Sequence, residues 1–190
     1  MTPTAMLLVP VPEVETYIDP LRRRLDPSWR QGMPAHVTLL VPFPPVDPTS
    51  DPIVPALRDL FEQFAPFDFA LRRTRWFDDR VLYLAPEPAE PFRRLTGGLV
   101  KQFPDHPPYG GAFPDIVPHV TVGEGGRWRK RRRSMRRAVA ALDGMAPIPA
   151  HASEAWLMEL SGASSRWRRT ATFPLGGLRS SLLPSGWVAR

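Results

Sequence analysis

The 190-residue chain carries 25 Pro and 13 Gly, and 43% of its residues are apolar. Pro and Gly make up about a fifth of it, below the roughly 25–30% that signals low-complexity disorder, so a loop-rich globule with a real core is expected. The net charge of +6 is uneven: residues 1–125 hold 12 Lys/Arg against 16 Asp/Glu, a net of −4, and residues 126–190 hold 13 against 3, a net of +10. The lack of Cys excludes disulfides, thiolate catalysis and Cys-bound metal centres. No apolar run nears the roughly 20 residues of a membrane span, which points to a soluble, cytoplasmic protein, monomeric by default.

In chain order, an apolar strand at Ala5–Val9 leads to a helical stripe of Val14, Ile18, Leu21 and Leu25, interrupted by Pro20. His36–Val41 is a second strand, closed by Pro42. Ser50 and Asp51 offer a cap for a helix bearing Leu57, Leu60, Phe61 and Phe64, and Phe67–Leu71 alternates as a strand. A second round opens with strand Val81–Ala85 and a helix marked by Phe92, Leu95, Leu99 and Phe103. A Pro/Gly-rich loop, Pro104–Pro114, precedes strand Val117–Val122. A basic helix with Trp128, Met135, Val139 and Leu142 on one face follows, with Gly144 beyond its end, and strands near Ala155–Leu160 and Thr170–Leu175 finish the chain.

The order strand, helix, strand, helix, strand occurs twice, the mark of an internal duplication. The expected architecture is an α+β fold of two pseudosymmetric lobes, from repeats of roughly 1–75 and 76–175, forming one domain with its sheets flanking a central cleft.

The central strand of each round carries the same tripeptide: Pro34-Ala-His36-Val-Thr38-Leu in the first, Pro118-His119-Val-Thr121-Val in the second. Side chains alternate across a strand, so each His shares a face with the Thr two residues on. Two such strands side by side project two imidazoles and two hydroxyls into one cleft. That set suits phosphodiester chemistry. One neutral imidazole accepts a proton from an attacking water or hydroxyl, the other, protonated, donates to the departing oxygen, and the hydroxyls bond phosphate oxygens where charge develops. His151-Ala-Ser153 shares the bare spacing, but the charged Glu154 follows it and no equivalent round of structure surrounds it.

The paired His-x-Thr-apolar motifs, about 80 residues apart in a duplicated chain, resemble those of the 2H phosphoesterase superfamily, and HVTLLVPF resembles its 2′-5′ RNA ligase-like bacterial branch. The resemblance implies opening of a 2′,3′-cyclic phosphate, or a related cyclic or 2′-5′ phosphodiester, on an RNA end or nucleotide. His36, Thr38, His119 and Thr121 carry over as catalytic residues, with the acid and base roles left open between the two His. Some members have a basic residue shortly after the second motif, where this chain reads Gly123-Glu-Gly-Gly126.

Eight of the basic residues lie between Arg127 and Arg137, close behind the second motif. They are either a solvated helix face or an RNA-backbone surface, and Arg127 and Arg129 are the candidate contacts. Phe43 and Tyr109 are the candidate base-stacking aromatics, chosen from a set that also includes Trp76, Phe77, Phe113 and Trp128. Asp78-Asp79 reads as a hairpin turn, the His spacing gives no metal pair, and no phosphate loop or nucleophile elbow is present, so neither metal nor cofactor is expected. The alternative reading is a basic RNA-binding or regulatory protein that keeps the scaffold without turnover.

Overall fold

A computed structural model describes residues 4–113, 115–125, 129–145, 147–161 and 165–176; side chains 129–132 and 161 are not among those described. The elements are β1 (Thr4–Pro10), α1 (Glu15–Leu25), α2 (Pro27–Arg30), β2 (His36–Phe43), α3 (Ile53–Glu62), β3 (Phe67–Phe77), β4 (Val81–Glu87), α4 (Glu90–Gln102), β5 (Val120–Glu124), α5 (Arg129–Asp143), β6 (Ile148–Ala152), β7 (Glu154–Ser161) and β8 (Arg166–Pro174).

All eight strands join one sheet in the order β6-β3-β4-β5-β2-β1-β7-β8, and every pairing is antiparallel. Ser153 alone separates β6, at one edge, from β7, next to the other edge. The sheet must therefore curl until its ends approach, and the Leu175 amide closes that corner by donating to the Ser153 carbonyl at 2.8 Å. The halves meet between β5 and β2. β3 ends the first round in sequence yet pairs with β4 and β6, while β7 and β8, after the second round, extend from β1.

Helices cover the convex face: α4 packs on β2, α1 on β5, α3 on β8 and α5 on β3. Each buries the stripe that its apolar spacing dictates, as in Leu57, Leu60 and Phe61 of α3, Phe92, Leu95 and Leu99 of α4, and Met135 and Leu142 of α5. Strand residues Leu7, Val9, Val37, Leu39, Leu82, Leu84, Val120 and Val122 meet them in the main core. Thr96 of α4 turns its hydroxyl to the Leu39 carbonyl at 3.2 Å, satisfying a backbone group where the β1–β2 ladder shifts register.

Several elements depart from the sequence expectation. α1 runs unbroken through Pro20, whose missing N–H falls on the exposed side and costs the helix one bond. β6 is a strand despite Pro149, which an edge strand tolerates. β3 extends to Phe77 because a register shift between Leu71 and Arg73 switches its buried face, so that Phe69 and Leu71 are buried before it and Arg73 and Arg75 are exposed after it. Asp78 and Asp79, both left-handed at φ 46° and 55°, form the β3–β4 turn as expected.

Candidate active site

β2 and β5 pair at Val37–Val120, the register contact between the two half-sheets among the described residues. Both Val side chains enter the helix-covered core. Their neighbours therefore face the concave side, and the antiparallel register sets His36 opposite Thr121 and Thr38 opposite His119. Directly opposed residues have Cβ atoms about 4.5–5.5 Å apart and diagonal ones about 7–8 Å. The two imidazoles occupy one diagonal of a square and the two hydroxyls the other. One phosphate, hydrogen-bonded at about 2.8 Å on each side, can bridge such a diagonal.

The rings are held alike. His36 Nδ1 lies 2.8 Å from the Pro34 carbonyl and His119 Nδ1 lies 2.8 Å from the Val117 carbonyl. A carbonyl only accepts, so each Nδ1 carries the proton and each Nε2 is left for the cleft. Burial pushes His36 down from 6.5 to about 4, against the pull of the Pro34 carbonyl; Arg22 and His119 push the same way as burial, and Asp26 opposes them. Burial also lowers His119, opposed by its Val117 carbonyl. Both rings are neutral at pH 7, ready to accept a proton and poised to gain one when an anion enters.

Around His119 the wall is aromatic. Phe77 and Tyr83 stack with centroids 4.2 Å apart, and their rings meet His119 at 5.0 and 5.4 Å. Tyr83 sits beside Thr121 in the ladder and Arg75 beside Tyr83, so Thr121, Tyr83 and Arg75 form one row across the concave face. Across the junction the matching row is Thr38, Leu8 and Trp156. There Leu8, Met33 and Met158 form a small cluster apart from the main core, edged by Met6, Trp156 and Trp167. The Arg169 guanidinium lies 4.3 Å above the Trp156 ring. The pseudosymmetric quartet is thus flanked by the Phe77–Tyr83 rings and Arg75 on one side, and by an apolar shelf with Arg169 over its Trp156 on the other.

Residues 10–163 match the model of the 2′-5′ RNA ligase superfamily. The chain belongs to that superfamily. Two curated Bacillus proteins designated candidate phosphoesterases are each 27% identical to it: one from Bacillus licheniformis, over 63% of this chain and 69% of that protein, and one from Bacillus pumilus, over 63% and 68%. The protein TT0787 of Thermus thermophilus shares its fold at a TM-score of 0.61 and 22% identity, covering 92% of this chain and 99% of that one. Escherichia coli LigT complexed with 3′-AMP shares it at 0.53 and 19%, with the same coverage. The expected 2H phosphoesterase-like α+β fold is the one observed.

Phe43 is 2% exposed and packs edge-on against Phe103 and His106, each 5.4 Å away. It is a core residue beside Ala5 in the ladder, not a platform for a base. Tyr109 does reach the site: it lies in the turn Pro108–Gly111 against β2, with its phenol beside the Thr38 hydroxyl, which donates to Met6 Sδ at 3.8 Å, and burial pushes the ionisation of the phenol up. Its backbone is left-handed at φ 52°, which costs an ordinary residue roughly 1–2 kcal/mol. Phe113, 59% exposed, meets the Tyr109 ring edge-on at 5.5 Å. Arg127 lies outside the described residues, as does the side chain of Arg129. Trp156, Arg169, Arg75 and Tyr83 escaped the sequence reading because they join the site only through strand register.

Proposed function

We propose that this protein is a phosphodiesterase that opens 2′,3′-cyclic phosphates, or related cyclic and 2′-5′ phosphodiesters, on RNA ends or nucleotides, by acid–base catalysis from two histidines without a metal. Membership of the superfamily supports phosphodiesterase-type activity on RNA or nucleotide substrates. The observation that carries the finer reading is the matched pair of rings, each locked through Nδ1 to the carbonyl two residues before it, so that both Nε2 atoms serve the cleft.

In this mechanism His36 Nε2 takes a proton from water as its oxygen attacks phosphorus. The bond from phosphorus to one ribose oxygen breaks, and His119 Nε2–H protonates that oxygen, leaving a phosphomonoester beside a free hydroxyl. Thr38 and Thr121 hydrogen-bond the non-bridging oxygens as charge gathers on them. Burial lowers the proton affinity of both rings, and the near-twofold layout leaves the base role to whichever ring faces the attacking water, His36 in the orientation described. The roles exchange for a substrate bound in reverse. LigT, which shares the fold, has been seen complexed with 3′-AMP and with phosphate, and the groups of this cleft suit the same class of ligand.

We assign stacking on a base to Tyr109 and Phe113, whose rings meet edge-on, and contacts to an RNA strand to Arg133, Arg136 and Arg137, which are exposed on α5. The test compares turnover of a cyclic mononucleotide, an oligonucleotide ending in a 2′,3′-cyclic phosphate and a 2′-5′ linked dinucleotide, with and without EDTA. Turnover of at least one, unaffected by EDTA, supports the reading. Failure on all three, or loss with EDTA, refutes it.

A further inference from the structure

Among the described residues the two halves of the catalytic square meet at one ladder pair, Val37–Val120, which is a thin joint for groups that must hold a fixed separation. Helix α1 bridges that joint. From its buried face, Arg22, 2% exposed, reaches the Met33 carbonyl through Nη2 at 2.9 Å. From its first turn, Glu15 Oε1 accepts the Ala35 amide at 3.0 Å. These two bonds grip the peptides on both sides of Pro34, whose carbonyl sets the His36 ring. The same helix lies against the strand of the second motif: a Cβ on Gly123 would sit 2.6 Å from Leu25 Cβ, closer than real Cβ atoms approach. Gly123 is what lets α1 touch β5.

We infer that α1 acts as a clamp that fixes His36 relative to His119, with Arg22 and Glu15 as positioning residues and Gly123 as the close-approach point that ties them to the second motif. Arg22 is committed to this geometry by Asp26, which accepts from its Nε at 3.0 Å and its Nη2 at 2.9 Å while capping α2 through the Ser28 amide and hydroxyl. A buried ion pair of this kind is weak evidence for stability, because an apolar pair of similar volume is often as stable. Its value here is the direction in which it points the Met33 carbonyl. The second motif has no equivalent: Val117 is 39% exposed, and among the described residues no side chain other than His119 bonds the peptides that flank it. The first imidazole is held from outside its own strand, and the second by its strand and the Phe77–Tyr83 rings.

This inference rests on the proposed acid–base roles for its kinetic readout, while its structural readout stands alone. Imidazole nitrogen NMR shifts report the tautomer of each His, and the full-length protein serves for both measurements. In the wild type both rings are Nδ1–H. In the Arg22→Met, Asp26→Leu double variant, which removes the pair without leaving a buried charge, His36 becomes a mixture of tautomers, His119 is unchanged, and kcat falls about 10²-fold with little change in KM. If that variant fails to fold, Glu15→Leu gives the same signature and Glu15→Gln, which keeps an acceptor oxygen, restores the wild-type state. Gly123→Ala, which forces α1 off β5, lowers kcat in the same way. A wild-type tautomer and wild-type kcat in both the double variant and Glu15→Leu would overturn the inference. Altered tautomers in a protein that turns over none of the three substrates would instead sink the proposed function and leave the clamp standing.

Discussion

His36 and Thr121 stand opposite each other across the Val37–Val120 pair, although 84 positions of sequence separate them and each belongs to a different half of the sheet. Their partners, Thr38 and His119, complete the square in the opposite sense. An arrangement with this near-twofold symmetry offers each end of a phosphate one imidazole and one hydroxyl, which is the demand of an in-line displacement with proton transfer at both ends.

Replacing either Thr by Val keeps the shape and removes the donor. Thr38→Val and Thr121→Val are each expected to lower kcat about 10²-fold, by analogy with the loss of one oxyanion donor, with a smaller effect on KM. Steady-state kinetics on the substrate that the wild type turns over checks this. A change in KM alone would mean that the hydroxyls only bind.

Acid should weaken the fold through His36. Its charged form costs more in the folded chain, so between pH 6.5 and about 4 the unfolded chain binds the extra proton, and stability falls as pH is lowered across that window. Asp47, held down to about 2 by bonds from Thr49 and Ser50, loses its contribution below 3.8, outside that window. Urea midpoints measured across it should drop in the wild type and drop less in His36→Gln. Equal slopes would contradict the burial of the ring.

The same shifts set the pH profile of activity. In the proposed mechanism the working form carries one proton on the pair, and both rings are held below the ordinary His value, so kcat/KM should peak on the acid side of neutrality. It should fall as His36 gains its proton near pH 4. An optimum above pH 7 would contradict the acid–base assignment.

Phe43 and Tyr109 should separate cleanly. Phe43→Ala opens the core and is expected to cost about 3–5 kcal/mol, measured by chemical denaturation, while Phe43→Leu leaves KM unchanged. Tyr109→Phe, which loses the contact to Thr38, should leave stability nearly unchanged and alter turnover. A KM effect from Phe43→Leu without loss of stability would return that residue to the cleft.

The motif strands were legible because each is short and apolar, and period-2 alternation pairs every His with its Thr. Both rounds of helices were legible from their stripes. Non-local geometry was not. The second half of β3 hides behind a change of face at Arg72, β6 behind Pro149 and His151, and the first turn of β8 behind the charges of Arg166 and Arg168. Phe43 looked accessible because it follows the motif, yet the register shift in β2 returns it to the core beside Ala5. Arg75 and Tyr83 are hairpin neighbours, but the steps Thr121–Tyr83, Thr38–Leu8 and Leu8–Trp156 join strands distant in sequence, so no local pattern could announce the rows. Among the described residues no helix is long and apolar enough to cross a membrane, in line with the absence of a long apolar run in the sequence.

In the proposed mechanism the two imidazoles act together on one phosphorus. The most direct measurement is single-turnover opening of an oligonucleotide ending in a 2′,3′-cyclic phosphate by the wild type, His36→Ala, His119→Ala and the double variant. Each single change should cost about 10²–10⁴-fold, and the double change little more than the worse single one, because the pair works as a unit. Wild-type turnover by the double variant would rule out two-histidine catalysis.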